Sequence, residues 1–240
     1  MSERLQKLLA AAGHGSRRQI EQWIREGRLT VGDHVAALGE RAGPGADIRL
    51  DGAPLQLAAT ESVRREVLIY HKPEGEMTTR SDPQGRPTVF ERLPQAGQGR
   101  WVVIGRLDVN TTGLLLFTND GALAHRLMHP GSEVEREYLV RVRGTPPPRV
   151  LDRLRAGVML EDGPARFDSL QPDSGHDGTA HSWFRVILHE GRNREVRRLW
   201  QAVGFEVSRL SRVRYGSVQL PRDLRPGQWR LLGDTDAALL

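Results

Sequence analysis

One carboxylate stands out because it lies in a polar turn between two apolar segments. Asp108 belongs to the stretch GRLDVNTTGLLLF at residues 105–117, whose apolar flanks predict strands. A carboxylate held in such a turn can act as a nucleophile or as a general base. Aspartate is also a common turn former, so the local pattern alone leaves a purely structural role open.

A segment rich in arginine is the second candidate for chemistry. Its apolar residues follow the i, i+3, i+4, i+7 spacing that predicts an amphipathic helix over residues 194–203. These apolar residues are Val196, Leu199, Trp200 and Val203. The adjacent face carries Arg194, Arg197 and Arg198. Such a face could bind a polyanion, or it could be an ordinary solvated surface.

Tyr138 is the candidate aromatic residue. It lies in the alternating segment at residues 134–142, which predicts a strand with Tyr138, Val140 and Val142 on one face. That face points into the domain. The pattern alone therefore favours a tyrosine of the hydrophobic core.

Basic residues are concentrated in one part of the chain. The net charge of +5 arises from 35 basic and 30 acidic residues, an excess too small to establish a nucleic-acid ligand by itself. Residues 182–214, however, contain eight arginines against three glutamates. One surface of the protein is therefore predicted to be basic.

The overall composition excludes several classes of protein. With 38% hydrophobic and 27% charged residues, the chain is expected to fold as one or two globular domains. No apolar run approaches the roughly 20 residues of a membrane span, and no export signal is recognisable. These features predict a cytoplasmic protein without a membrane partner.

Metal and cofactor sites are also not expected. The absence of cysteine excludes disulfides, thiolate metal sites and cysteine nucleophiles. His125 and His129 have the i, i+4 spacing of a metal pair, but no acidic residue lies between them. No glycine-rich phosphate loop or dinucleotide motif is present, so we expect the protein to work without a cofactor.

The first 60 residues form a predicted domain of two helices and short strands. Residues 3–12 predict the first helix, and residues 16–27 predict a second, with Ser16 and Gln19 as a capping box. Short strands are predicted at residues 29–31, 35–38 and 47–50. Residues 61–66 show no such pattern and are predicted to be a linker.

Residues 67–240 form a second predicted domain in which strands dominate. The predicted strands are residues 67–70, 101–104, 113–118, 134–142, 183–188, 207–213 and 229–232. The predicted helices are residues 121–128, 148–156 and 194–203. Several connections are too short for parallel crossovers, which predicts an α+β fold on a mainly antiparallel mixed sheet. Residues 77–100 and 172–181 are predicted to be long loops, either functional or disordered.

The first domain resembles the S4 RNA-binding domain over residues 2–52. The resemblance rests on Arg4-Leu-Gln-Lys-Leu-Leu-Ala-Ala-Ala-Gly, then Ser16-Arg17, then Gly27-Arg-Leu-Thr-Val-Gly-Asp. It implies that four arginines meet RNA phosphates, namely Arg17, Arg18, Arg25 and Arg28. The charge pattern alone would also fit a solvated helix face.

The second domain resembles the pseudouridine synthases in three motifs. The central one is Arg106-Leu-Asp-x-x-Thr-x-Gly-Leu-Leu-Leu, of which every letter is present. The stretch VLIYHKPEG at residues 67–75 is similar to the family's first motif, and LHEGRNREVRRLW at residues 188–200 to its third. Glu195 departs from the glutamine that many members carry at this position.

This resemblance assigns roles to the candidate residues. Asp108 would be the catalytic residue, Tyr138 would stack on the target base, and Arg197 would pair with Asp108, lowering the pKa of its carboxyl group. Arg106 would enter the space that the base vacates. The other cations expected at the RNA are Lys72, Arg192, Arg194 and Arg198.

The activity implied by the two resemblances is isomerisation of a uridine in ribosomal RNA. The bond from the base to C1′ breaks, the base turns over, and C5 is joined to C1′, after the uridine has left its stack. A monomeric enzyme acting on large-subunit (23S) RNA is expected. A small-subunit (16S) target and a noncatalytic S4 ribosome-binding protein remain alternatives. Whether Asp108 attacks C1′ or removes a C2′ proton is left open.

Overall fold

The computed structural model of the chain describes residues 2–43, 45–57, 64–174, 181–233 and 237. The chain divides into two compact units. The first is Met1–Glu66 with Pro94–Val102 and Thr118–Gly121; the second is Val67–Leu93, Val103–Phe117 and Ala122–Leu240. Residues 61–63 of the predicted linker and 175–180 of the second predicted loop lie outside the described residues. The domain boundaries at residues 60 and 67 stay predictions.

The first unit contains the two predicted helices, followed by strands near the predicted positions, together with three short strands that were not predicted. Helix α1 spans Leu5–Ala11 and helix α2 spans Arg17–Arg25. The strands are β1 (Glu3–Arg4), β2 (Leu29–Val31), β3 (His34–Val35), β4 (Arg41–Ala42), β5 (Ile48–Leu50) and β6 (Ala53–Pro54). The three that were not predicted are β1, β4 and β6. Strand β1 pairs with β4, and the others form a sheet in the order β3-β2-β5-β6.

Helix α2 begins where the capping pattern predicts it. The Ser16 Oγ accepts a hydrogen bond from the Gln19 backbone N–H at 3.0 Å, which satisfies one of the free donors of the first turn. Ile20 of α2 is fully buried in one cluster with Leu5 and Leu9 of α1. Because isolated helices this short are marginal in water, this shared core is what stabilises both.

The predicted strand at residues 35–38 is wrong beyond Val35. The chain turns there, because the Ala37 N–H donates to the Glu40 Oε2 at 2.8 Å and the Glu40 N–H donates to the Ala37 carbonyl at 3.1 Å. Strand β3 therefore ends at Val35. The apolar residues that suggested a longer strand belong to this turn.

The main sheet and its helices occupy most of the remaining chain. Its strands and the nearby hairpins are β7 (Val67–Lys72), β8 (Val102–Ile104), β9 (Thr112–Thr118), β10 (Arg136–Arg143), β11 (Val158–Leu160), β12 (Gly163–Ala165), β13 (Ser169–Pro172), β14 (His181–Leu188), β15 (Val207–Tyr215), β16 (Val218–Gln219) and β17 (Trp229–Leu231). The helices are α3 (Gly121–Met128), α4 (Pro148–Ala156) and α5 (Glu195–Ala202), with a 3-10 turn at Pro130–Ser132. Within the described residues, no helix has the length and apolar character needed to cross a membrane.

The main sheet has the order β13-β14-β10-β15-β9-β7-β17, with β16 and β8 attached to β15 and β9. Strand β10 is antiparallel to both β14 and β15, whereas β15 runs parallel to β9. The predicted α+β fold on a mixed, mainly antiparallel sheet is confirmed. Residues 77–100 form neither helix nor strand, as predicted. Strands β11, β12 and β13 were not predicted, because they are short and Gly163 and Pro164 interrupt the strand pattern.

Helices α4 and α5 cover one side of the sheet. Val140 and Val142 of β10 are fully buried against Leu199 and Trp200 of α5. The apolar stripe predicted for the arginine-rich helix is therefore confirmed. Alternate residues of β10, such as Arg141, point to the other side of the sheet.

Gly113 marks the point where β9 meets β15. Its φ is +104°, and it pairs with Arg212 in the parallel ladder. A Cβ atom at this position would lie 2.3 Å from the Arg212 carbonyl oxygen and 2.6 Å from its nitrogen. Only glycine fits here, because it combines the required conformation with the absence of a side chain.

Candidate active site

Asp108 lies in the turn between β8 and β9, in the region predicted for it. The Thr111 N–H donates to the Asp108 carbonyl oxygen at 3.0 Å, which closes the turn. The Asp108 side chain is 27% exposed. The carboxylate is therefore accessible from solvent while its backbone is held.

Lys72, at the end of β7, holds this turn through hydrogen bonds to its backbone carbonyls. Its side chain is fully buried, and its ammonium donates to the Thr111 and Pro73 carbonyls at 2.9 Å each and to the Val109 carbonyl at 3.5 Å. Burial lowers the pKa of Lys72 to about 8, although the nearby carboxylates of Glu76 and Asp108 act in the opposite direction. The expectation that Lys72 contacts RNA is not met in this structure, because its ammonium has no exposed surface.

Arg194 supplies the ion pair of Asp108. Its Nη1 lies 3.5 Å from the Asp108 Oδ2 and 3.5 Å from the Asn110 Oδ1. Arg194 immediately precedes α5 and has φ +50°, in the left-handed region that residues other than glycine seldom adopt. The side chain is 44% exposed, so the pair is partly solvated.

Arg197 contacts the same turn but not through the carboxylate. It donates from Nη2 to the Asn110 carbonyl at 2.7 Å and from Nη1 to the Val207 carbonyl at 2.9 Å. Its Nε is buried without a partner in the described part of the chain. Burial lowers the pKa of the Arg197 guanidinium, and the charge of Arg194 adds to this effect.

The expected direct pair of Arg197 with Asp108 is therefore corrected. Both terminal nitrogens of Arg197 are used by backbone carbonyls, so the guanidinium joins β15 to the turn instead of holding the carboxylate. The carboxylate finds its cation one helical turn earlier, at Arg194. The resemblance to the family placed the pairing arginine in the right segment, but within that segment the ion pair is made by Arg194.

Tyr138 lies on the face predicted for it. It is half-buried and packs against the cluster that contains Val140 and Val142. It pairs with Arg212 in the ladder between β10 and β15, and Arg212 pairs with Gly113 at the start of β9. At about 4.8 Å between strands, the Tyr138 backbone lies about 10 Å from that of Gly113. The Tyr138 hydroxyl makes no hydrogen bond to any described residue.

Arg192 and Arg198 are neutralised by the protein itself. Arg198 donates to both oxygens of Asp162, at 2.8 and 2.9 Å, and Arg192 lies 3.5 Å from the same carboxylate. The hydrogen bond from Arg198 lowers the pKa of Asp162. Arg192 also pairs with Glu190 and donates to the Pro164 carbonyl at 2.9 Å. The predicted basic face of α5 is thus largely occupied by internal contacts with the β11–β12 turn.

Glu195 and Arg106 have contrasting environments. Glu195 is 4% exposed, and its Oε2 accepts from the Arg192 N–H at 3.2 Å. Burial raises the pKa of its carboxyl group. Arg106 is exposed and forms no ion pair with any of the residues that the structure describes. Glu195 therefore shapes the start of α5, whereas Arg106 is available to a ligand.

The four arginines of the S4 domain also differ in their exposure and in their ion-pair partners. Arg17 and Arg18 are exposed and have no ion-pair partner among the described residues. Arg25 lies 3.9 Å from Glu21 and remains 54% exposed. Arg28 pairs with Asp51 at 2.5 Å and with Glu26 at 3.4 Å. The hydrogen bond with Asp51 raises the pKa of Arg28, which marks it as the most engaged of the four.

Two residues near the turn were missed by sequence reasoning. Asn110 offers its carbonyl to Arg197 and its side-chain oxygen to Arg194. Arg212 is 2% exposed and donates from Nε to the Leu114 carbonyl at 2.8 Å. The position of Asn110, two residues after Asp108, was a usable signal. The sequence around Arg212 contained no such signal, because an arginine in a predicted strand could equally lie on the exposed side of a sheet.

Comparisons with known proteins identify a family for each of two parts of the chain. The family model for RNA pseudouridylate synthase matches residues 66–202, and that for the S4 domain matches residues 3–48. A solved structure described as a pseudouridylate synthase superposes with a TM-score of 0.68 at 25% identity, covering 99% of both chains.

Curated relatives are similar over almost the whole chain. The chain is 54% identical to ribosomal large subunit pseudouridine synthase B of Pseudomonas aeruginosa, over 100% of this chain but 62% of that protein. It is 57% identical to the protein of the same name from Escherichia coli K12, over 95% of this chain and 79% of the relative. The chain thus spans less than two thirds of the Pseudomonas protein. By its motifs, its fold and these similarities, the chain belongs to the RNA pseudouridylate synthase family.

Proposed function

We propose that this protein converts a uridine of large-subunit (23S) ribosomal RNA to pseudouridine, with Asp108 as the catalytic residue. The observation that carries the proposal is that hydrogen bonds from two cations fix the backbone of the Asp108 turn. Lys72 holds the Thr111 carbonyl and Arg197 holds the Asn110 carbonyl, while the carboxylate itself stays accessible. The names of the relatives from Pseudomonas and Escherichia coli support the choice of RNA.

The held turn suits a reaction at the sugar of the target nucleotide. The base leaves C1′, turns over and returns through C5, so Asp108 must meet the ribose in one orientation during the whole exchange. Fixing a reacting group in advance removes the cost of ordering it at the moment of reaction. The Arg194 Nη1, 3.5 Å from the Asp108 Oδ2, places a positive charge beside the carboxylate that would attack C1′ or remove a C2′ proton.

Tyr138 and Arg106 are proposed to manage the displaced base. A uridine reaches a pocket only after leaving its stack, and an aromatic ring can replace part of the lost stacking. Tyr138 is half-buried, with its ring against the core and its hydroxyl without a partner among the described residues. Arg106, exposed and unpaired in the same described part of the chain, would fill the space that the base leaves in the RNA.

The remaining cations divide into binding and positioning residues under this proposal. Arg17, Arg18 and Arg25 would contact RNA phosphates from the S4 domain, over residues 1–60, with Arg28 contributing less. Lys72, Arg192 and Arg198 would position the Asp108 turn and α5 instead of meeting RNA. Arg194 would do both, because it is paired with Asp108 yet 44% exposed. We further propose that the enzyme acts as a monomer in the cytoplasm, with a catalytic domain at residues 67–240.

The test is pseudouridine formation by the purified chain on 23S and 16S ribosomal RNA transcripts, with the modified position mapped on each. Pseudouridine at one uridine of the 23S transcript is the expected result. Modification of the 16S transcript alone would overturn the proposed substrate but keep the chemistry. RNA binding without pseudouridine on either transcript, or on ribosomal RNA from cells lacking the gene, would favour the noncatalytic S4 assembly protein instead.

A further inference from the structure

The side of the main sheet that α4 and α5 leave uncovered carries cations that the proposed mechanism does not use. We call this side the open face and define it by four residues of β10, β14 and β15: Arg141, Trp183, Arg185 and Arg209. Arg141 pairs with Trp183 in one ladder and with Arg209 in the other, so these three side chains lie in one row across the sheet. Val140 and Leu210 in the next row point to the opposite side, into the core.

The row joins a flat aromatic ring to guanidinium groups. The Arg141 Cζ lies 5.8 Å from the centre of the Trp183 ring, and the Arg141 Nε donates to the Ser208 Oγ at 2.9 Å. The terminal nitrogens of Arg141 make no further bond to the described residues. Arg209 is exposed and has no ion-pair partner in the described ranges. Trp183 is half-buried.

A cavity of about 400 Å³ continues the open face at its other end. Its lining includes Arg185, Arg214 and Arg222 together with Glu137. Glu137 binds Arg185 at 3.2 Å and Arg214 at 2.9 Å, and further acids, Asp173 and Glu135, hold the same two arginines. Arg222 is exposed and has no such partner among the described residues. Within that described part of the chain, the cations left without an acid on this side are therefore Arg141, Arg209 and Arg222.

The composition of the open face favours RNA over a protein partner. Exposed large apolar side chains, which protein interfaces use as anchors, occur elsewhere in the described chain. They are Val35, Leu38, Val109, Met128, Met159, Trp229 and Leu231. Arginines beside an aromatic ring on a sheet are instead an arrangement that can bind phosphates and stack an unpaired base.

We propose that the open face is a second RNA-contact surface, on the opposite side of the sheet from α5, which takes the phosphate backbone and one unstacked base of single-stranded ribosomal RNA. Arg141, Arg209 and Arg222 would meet phosphates, and Trp183 would stack on the base. The identity of the RNA as ribosomal rests on the proposed function. The chemistry of the surface does not, because any single-stranded RNA offers the same groups.

The test measures binding of the full chain to a fluorescein-labelled oligouridine about twenty nucleotides long, over a range of salt concentrations. The Arg141→Ala/Arg209→Ala variant is compared with Arg149→Ala/Arg153→Ala, which removes two exposed arginines from α4 on the covered side of the sheet. If two phosphates are no longer neutralised, the slope of log affinity against log salt should fall by roughly 1.4 in the first variant only. Equal slopes in the two variants would overturn the proposal.

Trp183 provides a second, independent measurement. Trp183→Leu should weaken oligouridine binding at least about fivefold, whereas Trp183→Phe keeps a stacking ring and should retain most of the affinity. Melting temperatures check that each variant is folded. Self-association of the wild-type chain that Trp183→Leu abolishes, seen by sedimentation, would assign the face to a second copy and overturn the proposal.

The catalytic assay separates this inference from the proposed function. On 23S transcripts, the open-face variant should need more RNA for half-maximal pseudouridine formation than the α4 control. If the wild-type chain forms no pseudouridine, the proposed activity fails, but the oligouridine comparison still decides whether the open face binds RNA.

Discussion

The arginines of α5 and those of α2 carry the same charge in different surroundings. Arg197 and Arg198 on α5 donate to carbonyl and carboxylate oxygens of the protein. Arg17 and Arg18 on α2 extend from an amphipathic helix without an ion-pair partner among the described residues. An arginine whose donors are already used holds the protein in shape, whereas one with free donors can bind a phosphate.

This difference separates positioning from binding at the level of single side chains. Around Asp108, the cations Lys72, Arg194 and Arg197 fix one turn, so changes there should alter the rate of the reaction. On α2, changes should alter affinity for RNA and its dependence on salt. Each of the following measurements asks whether the two regions can be separated in this way.

The largest effect is expected for Asp108→Asn. The substitution keeps the size of the side chain and the turn but removes the charge, so neither attack on C1′ nor removal of a C2′ proton remains available. Since no other acid is proposed at the reacting sugar, single-turnover pseudouridine formation should fall by several orders of magnitude, at about 1.4 kcal/mol per factor of ten.

The control for Asp108→Asn is binding and folding. Circular dichroism and RNA affinity should match the wild type, because the ion pair that the substitution removes is the partly solvated one with Arg194. A purely structural aspartate predicts the reverse, namely a lower melting temperature with normal turnover. A rate within about tenfold of the wild type would remove Asp108 from the catalytic role.

A smaller loss of rate is expected for Arg197→Ala. The change releases the Asn110 and Val207 carbonyls, so the Asp108 turn should shift and the single-turnover rate should fall by about 100-fold with little change in RNA affinity. Arg197→Lys should recover little, because one ammonium cannot reproduce the planar donors that reach both carbonyls. A nearly normal lysine variant would show that charge alone, not the bridge, is what Arg197 supplies.

A dependence of stability on pH is expected from Lys72. Burial lowers the pKa of Lys72 from 10.5 to about 8, so between these values the unfolded chain holds a proton that the folded chain has lost. The free energy of unfolding should therefore rise with pH across this window, by up to about 1.4 kcal/mol per pH unit, relative to Lys72→Met. Chemical denaturation of both proteins at several pH values tests this; parallel profiles would contradict a buried, titrating ammonium.

The smallest effect is expected on α2. Replacing Arg17, Arg18 and Arg25 with alanine should weaken RNA binding severalfold and reduce its salt slope by roughly 0.7 to 0.9 for each phosphate that is no longer neutralised. Turnover at saturating RNA should persist. Arg28→Ala is the matched comparison, since Arg28 is already bound to Asp51, and it should change the slope least. Equal slopes for all variants would mean that this face is only solvated.

Local sequence patterns predicted the helices and the longer strands, but they missed short strands such as β11, β12 and β13 and did not predict the contacts between elements. The spacing of Val196, Leu199 and Trp200 predicted α5 and its buried side, and alternation predicted the direction of Tyr138. Which arginine meets Asp108 depends on the left-handed backbone at Arg194 and on distant oxygens at Val207 and Asp162. No local pattern encodes those distances, because they arise only when the sheet has formed.

Gly113 limits how the family's central motif can vary in this protein. Any side chain at this position would collide with the Arg212 backbone, so β9 would have to move away from β15. Asp108 lies five residues before Gly113, in the turn that leads into β9. Arg212 of β15 pairs with Gly113 on one side and with Tyr138 on the other. In a saturation library selected for pseudouridine formation, position 113 should therefore accept no substitution, not even alanine, because the Arg212 backbone leaves no space for a Cβ atom.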